Sequence, residues 1–154
     1  MTLLTTNYSL QTRSGFTMIE VLMAVAVIVI LTGIGIPFFR EMQVRNDLDV
    51  AVNAASGGLR RAQMLSMSPQ GDIAWGVKLQ ASSVVVFKGA SFAGRDTNYD
   101  EQFDISPTIV VSGTTEFVFA KFTGLPTSTG TITLTSSDGD AKNISINAKG
   151  TLSY

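Results

Sequence analysis

Between Val21 and Phe39 the sequence carries no charged side chain, and a helix over those nineteen residues is about 29 Å long. That length matches the hydrocarbon thickness of a bilayer, so the run predicts a single membrane crossing. Glu20 stands immediately in front of it. An ionised carboxylate in hydrocarbon costs about 2.5–3.5 kcal/mol on insertion scales, so the residue calls for a partner. Arg40, Glu41 and Arg45 mark where the helix leaves the apolar phase. Residues 1–15 are polar and hydroxyl-rich, with Arg13 as their only charge, which favours a cytoplasmic N-terminus and a C-terminal domain outside the membrane.

An ordinary secretory signal places its small-residue cleavage site after the apolar core. Here the Ser14–Gly15 pair precedes it. Cleavage after Gly15 would leave the apolar helix on the mature chain, beginning at Phe16 with a free amino group. Residues 16 and 20 are one helical turn apart. The Glu20 carboxylate could therefore meet its own amino terminus or that of a neighbouring copy in a parallel bundle, each charge offsetting part of the other's desolvation.

The stretch SGFTMIEVLMAVAVIVIL resembles the processing and assembly motif of type IV pilins and of the pseudopilins of type II secretion. A small residue, Phe, Thr and a Glu at the fifth mature position stand in register ahead of an apolar run. The resemblance implies that an aspartyl prepilin peptidase cleaves between Gly15 and Phe16 and N-methylates Phe16. It further implies that Glu20 pairs with the Phe16 amine of a neighbouring subunit as an inner-membrane assembly platform moves subunits from the membrane into a periplasmic or surface filament. The bland alternative is a signal-anchor with Glu20 near the cytoplasmic interface.

Composition narrows the chemistry. The chain has no Cys and no His, which removes disulfides, thiolate metal sites and the commonest general base. No Gly-rich phosphate loop is evident, and no pair of carboxylates has a spacing that specifies acid/base work, so no enzymatic activity and no cofactor are expected. From residue 69 onward six basic residues face eight acidic ones, which argues against nucleic acid as a partner.

Gly33, Gly35 and Pro37 form a weak point in the helix, because Pro removes a backbone hydrogen bond and each Gly costs about 1 kcal/mol relative to Ala. The outcomes expected are a kink or, as the pilin resemblance implies, local melting in a filament. Beyond Arg40, Leu48, Val52, Ala55, Leu59 and Ala62 recur at steps of four and three on one face. Gly57–Gly58 would let a sheet approach, Met64 and Met67 would extend the apolar side, and Pro69 and Gly71 would stop the helix.

After Gly71 seven short runs rich in Val, Ile, Thr and Phe predict strands, with Asp138–Gly139 in SSDGD as a hairpin signal between the last two long ones. Trp75, Phe87, Phe117, Phe119 and Phe122 are expected in the core. The fold class is therefore α+β: a long N-terminal helix packed by its second half on a C-terminal antiparallel β domain. Its divisions are a leader at 1–15, a helix at 16–68 whose first part, 16–39, is the membrane or filament segment, and a β domain at 69–154.

The segments LRRAQMLSMSPQ and FTGLPTSTGTITLTSSDGDAKNISINAKGTLSY resemble the H-type pseudopilins and FimT-type minor pilins. This subgroup resemblance implies a minor pilin or pseudopilin. Some FimT-type members bind DNA through arginines around the Gly that opens the last strand, but here Lys149 stands beside Gly150 without an Arg. The runner-up function is a membrane-anchored extracytoplasmic binding module, DNA included among its ligands, that does not polymerise. In GRDTNYDEQFD, Asp96, Asn98 and Asp100 alternate as calcium ligands do, yet Glu101 and Pro107 occupy the positions where an EF-hand needs Gly and a bidentate carboxylate. An irregular, solvated acidic loop is expected, with calcium as its only candidate ligand.

Overall fold

Helix α1 spans Met18–Met67 and is followed by strands β1 (Trp75–Leu79), β2 (Ser83–Lys88), β3 (Asp96–Asp104), β4 (Val110–Gly113), β5 (Glu116–Phe119), β6 (Gly130–Thr135), β7 (Ala141–Ile146) and β8 (Leu152–Ser153). The computed structural model describes residues 15–68 and 73–154, apart from the side chains of residues 34–38. Pro69 and Gly71, expected to stop the helix, lie outside the described residues. The chain divides into two units, Met1–Phe39 and Arg40–Tyr154.

In the first unit every described residue from 15 to 33 is exposed. Successive large apolar side chains, among them Leu22, Ile28, Ile30 and Leu31, leave no polar face on this part of the helix. Thr32 Oγ1 donates to the Ile28 carbonyl at 2.8 Å, so even this hydroxyl is satisfied within the helix.

In the second unit α1 lies against two four-stranded antiparallel sheets, ordered β3-β2-β1-β5 and β4-β6-β7-β8. The expected stripe is its buried face: Leu48, Val52, Ala55, Leu59 and Ala62 all join one core with residues of both sheets. Small side chains on the helix let it come close. A Cβ on Gly58 would lie 3.1 Å from Val84 Cγ1, whereas one on Gly57 would meet nothing within 4 Å. The close approach thus belongs to Gly58 alone.

The central strands β1 and β2 of sheet one are buried on both faces, which explains why VVVF in β2 reads as a continuous apolar run rather than an alternation. Val84 and Val86 belong to the core that α1 covers. On the other face the Phe92 ring stands edge-on to Phe87 at 5.5 Å between centroids. Gly76 is required beneath, because a Cβ there would come within 2.4 Å of Phe87 Cζ. Sheet two alternates as expected, with Ile132, Leu134, Ile144 and Ile146 buried and the intervening positions more exposed. The SSDGD hairpin joins β6 to β7, with Gly139 at φ 90° and the Ser136 N–H donating to the Asp140 carbonyl.

Polar side chains of α1 fasten it to each sheet. Arg61 donates through Nε and Nη2 to the two carboxylate oxygens of Glu101 on β3, at 3.1 and 2.9 Å. Hydrogen bonding to Glu101, and then its charge, raises the Arg61 pKa. Lys142 on β7 pairs with Asp49 of the helix. Gln63 Nε2 donates to the Gly124 carbonyl at 3.1 Å and to that of Gly150 at 3.4 Å, tying two loops to the last turns.

Three sequence expectations are corrected. The acidic segment is not a loop: β3 is a nine-residue edge strand paired with β2, its register shifted between Val86 and Lys88. Phe122 is 56% exposed rather than core, because it adopts φ 65° to let its N–H donate to the Ser66 carbonyl at the end of α1. Met64 and Met67 are also exposed, since the buried face turns at Ala62 and Ser66.

Gly57 and Gly58 give opposite outcomes. Gly57→Ala is expected to stabilise the Arg40–Tyr154 unit by up to about 1 kcal/mol through helix propensity. Gly58→Leu forces the helix off Val84 and lowers stability by about 1–3 kcal/mol. Urea unfolding of a chain beginning at Arg40 measures both.

Candidate functional site

The residues that the sequence marks for processing and assembly cluster at the start of α1. Gly15, Phe16 and Thr17 are non-helical, and the helix begins at Met18. Thr17 is its N-cap: the Thr17 carbonyl accepts from the N–H groups of Glu20 at 3.1 Å and Val21 at 3.2 Å. Its hydroxyl oxygen lies 3.4 Å from the same Glu20 nitrogen. An N-cap has extended backbone while its oxygens take up the orphan N–H groups of the first turn, which is the arrangement here.

Glu20 occupies the third helical position, in the first turn. The pattern Thr17-x-x-Glu20 is therefore a capping-box sequence, a signal legible in the residues but passed over when Glu20 is read only as a charge seeking an ammonium. A carboxylate in a first turn is favoured by the partial positive charge of the helix end, by about 0.3–1 kcal/mol when exposed. Phe16, 82% exposed, precedes the helix, so residues 16 and 20 are not one helical turn apart in this chain.

Among the described residues nothing lies within 4 Å of a Cβ added at Gly15, so packing among them does not ask for glycine there. Gly33 likewise meets nothing within 4 Å. The side chains of Gly35 and Pro37, the rest of the expected weak point, lie outside the described residues.

Among the described residues no helix is long and apolar enough to cross a membrane. Residues 34–38, which complete the uncharged run in the sequence, are those whose side chains are not described.

The acidic positions of β3 are engaged with one another and with Arg95. Asp96 Oδ1 accepts from the Asn98 backbone and side-chain amides at 3.1 and 3.0 Å. Both Asp100 oxygens accept from Arg95 Nε at 3.1 and 2.8 Å, while Arg95 Nη1 donates to the Phe92 carbonyl at 2.8 Å. Asn98 thus turns its amide, not its oxygen, toward Asp96, and Asp100 already has a cation. Among the described residues no group of three or more acidic side chains is placed to hold a metal ion. At the other candidate ligand site, the turn before β8, Lys149 is exposed and its N–H donates to Asn147 Oδ1 at 2.9 Å. The nearby Arg60 donates to the Tyr154 hydroxyl at 2.8 Å.

Residues 10–36 match the family described as the prokaryotic N-terminal methylation motif. The match takes in Gly15, Phe16, Glu20 and most of the apolar run, and it indicates pilin-like prepilin processing. No curated protein and no solved structure matches the chain.

The engagement of Asp96 and Asp100 carries a prediction. Thermal melting of the Arg40–Tyr154 unit is expected to give the same midpoint in millimolar calcium as in chelator, because a ligand that binds only the folded state must raise it. An upward shift in calcium would place a metal site on β3.

Proposed function

We propose that the chain is a structural subunit of a type IV pilus or pilus-like filament, a minor pilin or pseudopilin of the H-type and FimT-type kind. The observation that carries the reading is that the first part of α1, which lies within the matched methylation motif, exposes its described apolar side chains on all sides. Such a surface needs a surrounding of lipid or of other helices.

On this reading residues 1–15 are a leader, and residues 16–39 cross the cytoplasmic membrane with the β domain outside. A prepilin peptidase cleaves between Gly15 and Phe16 and N-methylates Phe16. A glycine that the chain's own packing does not require is what close approach by such an enzyme would demand. The assembly platform then transfers the helix from lipid to a bundle of like helices. Burial of the apolar surface is kept through that transfer, and Glu20 gains the Phe16 ammonium of a neighbour. Gly33, Gly35 and Pro37 serve as the place where the helix extends under packing or load. The domain's role is structural and non-catalytic, with its surface loops available for contacts outside the filament.

Glu20→Ala tests the assembly role. The variant is expected to be cleaved and inserted as before yet absent from sheared filaments, read by immunoblot of membrane and filament fractions. Wild-type levels of the variant in filaments would remove Glu20 from assembly.

A further inference from the structure

We propose that Thr17 is a positioning residue for leader cleavage: its cap fixes the first turn of α1 at Met18 and so keeps the Gly15–Phe16 bond outside the helix. The inference rests on the processing reading above. A peptide bond inside a helix has its carbonyl and N–H tied to neighbouring turns and its flanking side chains wound round the axis. A protease binds its substrate extended, so a helical bond must first unwind.

In this structure the scissile bond needs no unwinding. Residues 15–17 are non-helical and exposed, and the helix opens two residues beyond the bond. The boundary is set by identifiable contacts. The Thr17 carbonyl takes the Glu20 and Val21 N–H groups at 3.1 and 3.2 Å, and Thr17 Oγ1 lies 3.4 Å from the Glu20 nitrogen. Few residues nearby could replace it. Phe16 and Met18 have no side-chain acceptor, whereas Ser14 and Gly15 both have a preference for the cap position. Loss of the Thr17 cap therefore favours a start further upstream, which draws Phe16 into the first turn and takes the scissile bond with it.

The experiment uses the full chain in detergent micelles with an aspartyl prepilin peptidase, following loss of the first fifteen residues by mass spectrometry. Thr17→Val keeps the side chain's shape but removes the cap. Thr17→Ser and Thr17→Asp keep a capping oxygen and change the shape or charge. Thr17→Val is expected to lower kcat/KM about fivefold, the factor that loss of a typical cap implies, with Ser and Asp within about twofold of wild type. Amide hydrogen exchange of the uncleaved variants should show new protection at Thr17→Val position 17 and at Met18, and wild-type exchange in the Ser and Asp variants.

Cleavage of the Val variant at the wild-type rate overturns the proposal. So does equal slowing of the Val and Asp variants, which would mean that the peptidase reads the hydroxyl itself. Slow cleavage of the Val variant with unchanged exchange also overturns it. If the wild-type chain is not cleaved at all, the processing reading falls and this inference with it.

Discussion

A helix with apolar side chains all round it cannot be left in water, and the organisation of this chain follows from that constraint. Each large aliphatic side chain moved out of water is worth about 1.5–3 kcal/mol, and residues 18–33 expose almost nothing else. The later part of α1 meets the same demand differently. There the apolar residues narrow to one stripe, several of them are Ala, and two sheets cover them. One element thus carries two surfaces: large side chains on every side, suited to fluid or multiple neighbours, and a thin small-residue seam suited to one fixed partner. Such a seam needs shape as well as apolarity, which is why Gly58 sits where Val84 comes nearest.

The sheets in turn depend on how each outer face is finished. Sheet two shows an alternating pattern and turns its polar side to solvent, where Thr133 donates to Asn143 Oδ1 at 2.8 Å across neighbouring strands. Sheet one hides its second face beneath the segment that carries Phe92. That segment is held by the Phe92 N–H donating to Glu116 Oε1 at 2.9 Å and by Arg95 lying 3.7 Å over the Phe92 ring. The edge strand β3 is acidic along much of its length, and charge on an exposed edge opposes pairing with another chain. On the proposed reading, a subunit that associates through its helix gains from edges that do not associate on their own.

Periodicity made most of this legible. The steps of four and three from Leu48 to Ala62 identified the buried face, and the Asp-Gly pair identified the β6–β7 hairpin, because both signals are local. The misses came from residues whose state is set at a distance. Strand β3 has Asp, Asn, Gln or Glu at six of its nine positions, with Thr97, Tyr99 and Phe103 between them, and it pairs with the edge that β2 offers while Arg61 offers Glu101 a partner across forty positions. Phe122 looked like core by type, but the end of α1 required a donor from its backbone and left the ring outside. At the helix start the difficulty was of another kind: Thr17 and Glu20 spell a capping box, yet Glu20 so strongly suggests an ion pair that its role toward its own helix is easily overlooked.

That local role bears on the order of events in the proposed assembly. Before cleavage Glu20 already has a favourable position, since the first turn presents partial positive charge to it. Cleavage adds a full positive charge at Phe16, just ahead of the same turn. An ammonium there is opposed by its own helix end for the reason that a carboxylate is welcomed, so processing leaves the chain with an unfavourable cation that it did not have before. A carboxylate relieves it. The chain's own Glu20 lies within the first turn, beyond the cap, whereas the Glu20 of an adjacent parallel helix can approach from outside. Pairing between copies then offsets two penalties together, the cation at the helix end and the acid in apolar surroundings, and the first of these does not exist until the leader has gone. In this way the same first turn that stabilises the unprocessed chain makes the processed one dependent on a neighbour.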